Sequence, residues 1–194
     1  MTGVQTCALP ISHARVADPR IPTTFDADGR HPLYELECGR MTELDFLAIV
    51  GREVEVAVGH PVEMHAFATR WFAALETNHA MVEYLRGVGQ RGLQMAILTN
   101  NVREWESRWR AMLPVDEIFD LVVDSAFVGM RKPDPAIYEL TCERLGVPPE
   151  ACLFIDDFEH NCAAAAELGI AAIHFRTTEQ AIAECEAALA ASDG

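Results

Sequence analysis

Asp156 and Asp157 close the stretch Cys152-Leu153-Phe154-Ile155-Asp156-Asp157, in which four apolar residues run unbroken into two adjacent carboxylates. A short apolar run of this kind, preceded by the turn signals Pro148 and Pro149, predicts a strand buried on both faces. In an open α/β sheet, ligands bind beyond the carboxyl ends of the strands. Two acids at such an end repel each other and lose water. A divalent cation that takes oxygen ligands would offset both effects. The alternative is a loop whose acids face solvent and cap the following helix.

Two further stretches carry complementary chemistry. Met95-Ala96-Ile97-Leu98 ends in Thr99-Asn100-Asn101, and Lys132 sits in Gly129-Met130-Arg131-Lys132-Pro133-Asp134-Pro135. A Thr hydroxyl, an Asn amide and backbone N–H groups at a helix start all donate to phosphate oxygens. A Lys ammonium neutralises charge on a transferring phosphoryl group, and the acids would hold Mg2+, which orients that group. Taken singly, a Thr-Asn turn is an ordinary helix cap and a Lys an ordinary surface residue. The specific signal is the order and chemistry of the three strand ends together. His160 and His174 are expected to be structural or exposed.

These groups meet only if the chain forms a parallel sheet, and the pattern from residue 79 onward predicts one. Helices and apolar strands alternate. Met81, Leu85 and Val88 mark a helix that ends around Gly89 to Gly92. The strand at 95–98 follows, then a helix with Trp105, Trp109 and Met112, then a strand at Leu121-Val122-Val123. Asp134 is placed to cap a helix opened by Pro135 and stopped by Gly146. After the strand ending at Asp156 come a helix reaching Leu168, a last strand at 171–175, and a final helix with a capping-box pattern at Thr177 and Gln180. Residues 31–76 carry helical period and no strand signal. They predict a helix at His31 to Leu36, a second capped by Thr42 with Asp45, and a third from about Val62 through Met64, Phe67, Trp71 and Leu75. The division expected is 1–30 irregular or non-native, 31–77 a helical cap, and 78–194 the α/β core.

Composition narrows the partners. The chain has 194 residues, half of them hydrophobic, and a net charge of −15. That charge argues against nucleic acid or an anionic membrane surface as a partner, because both require clustered Lys and Arg. No apolar run approaches a transmembrane length, and no basic-then-apolar leader opens the chain. Cysteines at 7, 38, 142, 152, 162 and 185 match no zinc spacing and fall mostly in apolar settings. They read as reduced core residues of a cytoplasmic protein.

The three strand ends resemble the motifs of the haloacid dehalogenase (HAD) superfamily. Ile97-Leu98-Thr99-Asn100-Asn101 looks like its second motif and Arg131 to Tyr138 like its third. Phe154-Ile155-Asp156-Asp157, with Asn161 four residues on, looks like its fourth. Leu36 to Glu43, followed by Phe46, resembles the cap segment of the phosphatases similar to the N-terminal domain of soluble epoxide hydrolase. The resemblance implies a Rossmann-like, three-layer parallel sheet with a small helical cap. It also implies a Mg2+-dependent phosphatase acting on a small phosphorylated metabolite through an aspartyl-phosphate intermediate. Thr99 and Asn100 would bind the phosphoryl group, Lys132 would steady it, and Asp157 with Asp156 would serve Mg2+. Two other readings stay open. One is a haloacid dehalogenase, which needs no metal and so leaves the paired acids unexplained. The other is a non-catalytic relative that binds a phosphoryl ligand or a partner. Substrate identity and oligomeric state are not readable.

The departure from the family lies at the N-terminus. The family's first motif is a buried strand ending in Asp-x-Asp, whose first Asp is the nucleophile. Asp26-Ala27-Asp28 has the right letters, but Ile21-Pro22-Thr23-Thr24 before it contains a proline that a central strand does not tolerate, and Asp-Ala-Asp-Gly is ordinary turn chemistry. Met1 to Ile11, MTGVQTCALPI, resembles the conceptual translation of a sequencing-library adapter. The expectation is therefore that the true first strand and its nucleophile are missing or replaced. Loss of a central strand would leave interior N–H and C=O groups unpaired, so part of residues 3–11 is expected to fill the slot.

Overall fold

The computed structural model describes residues 4–7 and 32–192. In the described chain, strand β1 (Val4–Cys7) is followed by helices α1 (Pro32–Glu37), α2 (Glu43–Val58), α3 (Phe67–Ala73) and α4 (His79–Gln90). Then come β2 (Gln94–Thr99), α5 (Glu106–Ala111), α6 (Val115–Ile118), β3 (Leu121–Asp124), α7 (Ser125–Val128) and α8 (Pro135–Leu145). The chain finishes with β4 (Cys152–Asp156), α9 (Glu159–Glu167), β5 (Ala171–His174) and α10 (Thr178–Ser192).

All five strands are parallel, in the order β3-β2-β1-β4-β5. Alternation along the buried strands sends side chains to two helical layers. Ala96, Leu98, Val123, Cys152 and Phe154 pack with Ile137, Tyr138, Cys142 and Leu145 of α8 and Ala165 of α9. Met95, Leu153, Ile155 and Ile173 pack on the opposite face with Met81, Leu85 and Val88 of α4 and Ala181 and Cys185 of α10. The result is the expected three-layer, Rossmann-like arrangement. Among the described residues no helix is long and apolar enough to cross a membrane.

The central strand comes from the stretch expected to enter the sheet, residues 3–11. Val4 to Cys7 lie between β2 and β4, with Thr6 opposite Ala96 on one side and Phe154 on the other. Residues 4–7 therefore belong to the core sheet, and the expected separate segment 1–30 needs that correction. Backbone pairing requires only N–H and C=O groups, which is why a stretch with little strand signal can hold the place. Asp26 and Asp28 lie outside the described residues.

Local sequence signals set most boundaries. Thr42 caps α2 through Asp45 N at 3.2 Å, and Asn78 caps α4 through Met81 N at 3.1 Å. Thr177 and Gln180 form the reciprocal box at 3.2 and 3.3 Å. Residues 32–73 hold three helices, as expected, but α3 begins at Phe67 and not near Val62. Ala66 adopts a left-handed conformation at φ 55°, which a continuing helix cannot contain. The helix expected through Trp105 and Met112 is likewise split, with a 3-10 turn at Arg103–Trp105 before α5. α1 is held against the core at Gly39, where φ is +67° and an added Cβ would collide with Ala126 O and the Arg103 guanidinium.

Thr6→Pro tests the central position of β1. Proline removes a ladder donor and clashes in a middle strand, so the variant is expected to lose about 3 kcal/mol in urea denaturation. An unchanged midpoint would place residues 4–7 outside the ladder.

Candidate functional site

The carboxyl edge of the sheet gathers residues from four separate stretches. β2 ends at Thr99, whose register partner on β3 is Asp124; β4 ends at Asp156, whose partner on β5 is His174. Gly129 closes α7 with φ 74° and its N–H on Ser125 O, which turns the chain into Met130-Arg131-Lys132. That loop brings Lys132 onto the edge.

Lys132 is buried, at 5% exposure, and so is Asp156, at 2%. Lys132 Nζ donates to Asp156 Oδ2 and to Leu98 O, both at 2.7 Å. Asp156 Oδ1 accepts from Phe158 N at 2.8 Å and Asn161 Nδ2 at 2.9 Å. The repulsion expected between the two acids is therefore relieved at Asp156 by an ammonium and two N–H donors. Burying either charge alone would cost several kcal/mol. Asp157 is exposed; its backbone carbonyl lies 3.1 Å from His174 Nε2. The two carboxylates thus stand in different environments, one enclosed and one at the solvent boundary.

Asn100 is built into the loop that presents Lys132. Its Oδ1 accepts from Lys132 N at 2.8 Å, and its Nδ2 donates to Lys132 O at 2.9 Å. The amide expected on a phosphoryl group is directed at the Lys132 backbone, and the second Nδ2 hydrogen remains for a ligand. Thr99 is half-buried beside it, and no hydrogen bond joins its hydroxyl to a described residue. Arg131 is clamped as well: its Nε donates to Glu37 at 2.6 Å and its guanidinium lies 4.0 Å over the Tyr34 ring. Burial pushes the Glu37 carboxyl up, against the pull of Arg131 and Lys132. Helix α1 thereby grips the residue next to Lys132.

Three further residues shape the edge without a distinct signal of their own at the level of motifs. Asn161, four residues beyond Asp157, orients Asp156. Ser125, fully buried, accepts from Asn101 N at 3.0 Å and fixes the loop after β2. Asp124 caps α7 through Ala126 N at 3.0 Å. Leu121-Val122-Val123-Asp124 repeats the apolar-run-into-acid pattern of β4, with a single acid in place of two. Burial pushes the Asp124 carboxyl up to about 6. The Trp109 indole N–H is near enough to favour the charged form slightly, but Asp124 Oδ2 is buried with no partner in hydrogen-bond geometry.

The edge suits a cation that keeps water and ligand oxygens. Among the described residues no group of three or more His, Cys, Asp or Glu converges into an all-protein metal cage. Mg2+ needs no such cage: one or two carboxylates, with phosphate oxygens and waters, complete its octahedron. Of the two carboxylates at the end of β4, Asp156 is engaged by Lys132, Phe158 N and Asn161, which leaves Asp157, at the solvent boundary, as the candidate ligand.

Comparison with known proteins agrees with this geometry. The family described as haloacid dehalogenase-like hydrolase matches residues 23–169. The chain is 34% identical over 113 residues to bifunctional epoxide hydrolase 2 of Sus scrofa, covering 56% of the chain and 20% of that protein. It is 30% identical over 114 residues to phosphatase MT3486 of Mycobacterium tuberculosis (strain CDC 1551 / Oshkosh), covering 58% of the chain and 52% of that protein. The chain thus spans between a fifth and about half of the length of these relatives. A HAD family enzyme of Bacteroides thetaiotaomicron, crystallised with magnesium and inorganic phosphate, superposes with a TM-score of 0.67 at 20% identity, over 92% of this chain and 96% of that one. At that identity the match speaks to the fold.

Two measurements probe the edge. Lys132→Met leaves Asp156 as an uncompensated buried charge and is expected to cost about 3 kcal/mol or more in urea denaturation; adding Asp156→Asn should recover most of that loss. Asp124 gives a pH signature. Its carboxyl is raised from 3.8 to about 6 on folding, so the folded state binds more protons than the unfolded state between those values. Stability contributed at this site falls as pH rises through the window, and the loss is complete above it. Asp124→Asn keeps the Oδ1 cap and removes the charge. It should gain about 3 kcal/mol over the parent at pH 7.5 and nothing near pH 3.5; a gain independent of pH would contradict the assignment.

Proposed function

The chain belongs to the haloacid dehalogenase-like hydrolases, and we propose that it carries the phosphoryl-binding edge of a Mg2+-dependent phosphatase that acts on a small phosphorylated metabolite. The observation behind this reading is the enclosed ammonium of Lys132, held at 2.7 Å on Asp156 beside Thr99 at the strand ends. A preorganised positive charge at a water-poor edge stabilises negative charge as it develops on a transferring phosphoryl group. Thr99 Oγ1 and the remaining Asn100 N–H donate to phosphoryl oxygens, and Lys132 screens their charge. Asp157, positioned by its enclosed neighbour Asp156, would hold Mg2+, which would orient the phosphoryl group and neutralise part of its charge. The helices of residues 32–73, gripping Arg131 through Glu37 and Tyr34, serve as the cap.

The full reaction in this reading passes through an aspartyl-phosphate, and the aspartate belongs at the carboxyl end of the central strand. Here that strand ends at Cys7, opposite Ile97 and Ile155. The next residues in sequence are Ala8, Leu9 and Pro10, none with a carboxylate. We infer that this chain lacks the nucleophile and retains the binding edge. Lysine, threonine and the acids then act as a phosphate and metal site without turnover.

Calorimetry with inorganic phosphate, with and without Mg2+, combined with a p-nitrophenyl phosphate assay, tests both parts. Phosphate should bind only when Mg2+ is present, Lys132→Met should abolish the binding, and no p-nitrophenol should be released. Absence of phosphate binding by the folded chain would sink the site assignment. Mg2+-dependent turnover that Asp26→Asn abolishes would instead identify Asp26 as the nucleophile. Metal-independent halide release from a 2-haloacid would move the chain to the dehalogenase branch.

A further inference from the structure

The six cysteines have no metal-like spacing, but the fold brings two of them together. Cys142 lies in the last turn of α8, and Cys152 opens β4. Between them the chain leaves the helix at Gly146, passes Pro148 and Pro149, and enters the sheet. Their sulfurs are 3.7 Å apart, in contact, and the Cys152 thiol also reaches Pro148 O at 3.6 Å. Both residues are largely buried, at 5% and 3% exposure. They flank the 146–151 turn, where Gly146, Pro148 and Glu150 are exposed. A bonded pair needs the sulfurs at about 2 Å, so each must move by roughly 0.8 Å, within reach of a side-chain rotation.

We propose that Cys142 and Cys152 are a dithiol that peroxide closes to an intramolecular disulfide, stapling the end of α8 to the start of β4. The Cys142 thiolate attacks one peroxide oxygen; the O–O bond breaks, hydroxide leaves and takes up a proton, and Cys142 becomes a sulfenic acid. The Cys152 sulfur then attacks the Cys142 sulfur, the S–O bond breaks, and water leaves with the Cys152 proton. Two thiols and one peroxide give one disulfide and two waters. A small oxidant is the fitting partner, because both cysteines are buried, where a bulky disulfide reagent does not fit. The chemistry also favours this order of attack. Contact between the two thiols pulls Cys142 down and pushes Cys152 up, whereas burial raises the thiols of Cys38, Cys162 and Cys185. Cys142 is thus the better-placed nucleophile of the pair and Cys152 its resolving thiol.

The staple joins the two elements that frame the candidate site. α8 starts two residues beyond Lys132–Pro133, at the Asp134 cap, and β4 ends at Asp156. A crosslink between them restricts the relative motion of the segments that hold the Lys132–Asp156 pair. It acts chiefly by removing freedom from the unfolded chain.

The test is to treat the full chain with hydrogen peroxide, block residual thiols under denaturing conditions, digest with trypsin and map the products by mass spectrometry. Arg144 lies between the two cysteines, so the link joins two tryptic peptides; fragmentation distinguishes Cys152 from Cys162 on the second. The expected result is a Cys142–Cys152 link with a loss of roughly 2 Da, reversed by dithiothreitol. The melting temperature should rise by roughly 5 °C. Cys142→Ser and Cys152→Ser should each lose both changes, and Cys38→Ser should keep them. The mapping on the parent chain decides the matter even if a serine variant fails to fold. Peroxide that leaves both thiols open to blocking, that carries Cys142 to a sulfinic acid without a link, or that links a different pair would overturn the proposal. A mapped link without a rise in melting temperature would overturn the staple.

Discussion

The enclosed pair of Lys132 and Asp156 is the interaction around which the carboxyl edge is arranged. Neither charge could stay buried without the other, and neither is held by the other alone. Lys132 also reaches Leu98 O, and Asp156 also accepts from Phe158 N and Asn161. Each of these bonds comes from a different segment: the end of β2, the loop before α8, the end of β4 and the first turn of α9. Satisfying one ion pair in a low-dielectric interior therefore fixes the relative position of four pieces of chain. The same logic extends outward. Asn100 locks the Lys132 backbone from both sides, and Glu37 and Tyr34 hold Arg131 next to it. α1 is thus tied to the chemistry of the edge, although it precedes that edge by some sixty residues in sequence.

The centre of the sheet separates two demands that usually fall on the same strand. A parallel sheet needs something between β2 and β4 because interior N–H and C=O groups cannot be left unpaired. That need is indifferent to side chains, and Val4 to Cys7 meet it. The proposed reaction makes a stricter demand, a carboxylate at the end of that strand, and Ala8, Leu9 and Pro10 after Cys7 carry none. Thr99, Lys132 and Asp156 are held by β2, β4 and their loops, whatever side chains the central strand carries.

Much of this was legible before the structure. Apolar runs bounded by turn residues located β2, β3, β4 and β5, because strands of a parallel sheet covered by helices read as near-continuous apolar runs. The caps at Thr42, Asp134 and Thr177 were legible because capping is a local interaction of three or four residues. The third helix was misplaced toward Val62, since apolar spacing cannot register a single left-handed residue such as Ala66. Asp124 is not distinguishable by sequence, because a lone acid after an apolar run is an ordinary cap, and only the fold encloses its second oxygen. Cys142 and Cys152 were read as separate core residues, and only the reversal of direction between α8 and β4 puts their sulfurs in contact.

The sequence by itself determined which residues could bind a phosphoryl group and a metal. Their types and order along the chain are chemical facts, and a parallel sheet places all strand ends on one edge. It also led to the expectation that part of residues 3–11 lies in the sheet, and Val4 to Cys7 do. The tertiary structure decided how the charges are shared. It placed Asp156 on Lys132, left Asp157 exposed, and turned the Asn100 amide toward the Lys132 backbone. Those choices depend on which donors converge within about 3 Å of each oxygen and on how much water is excluded there. Such distances arise between residues far apart in the chain, so no local pattern of letters encodes them.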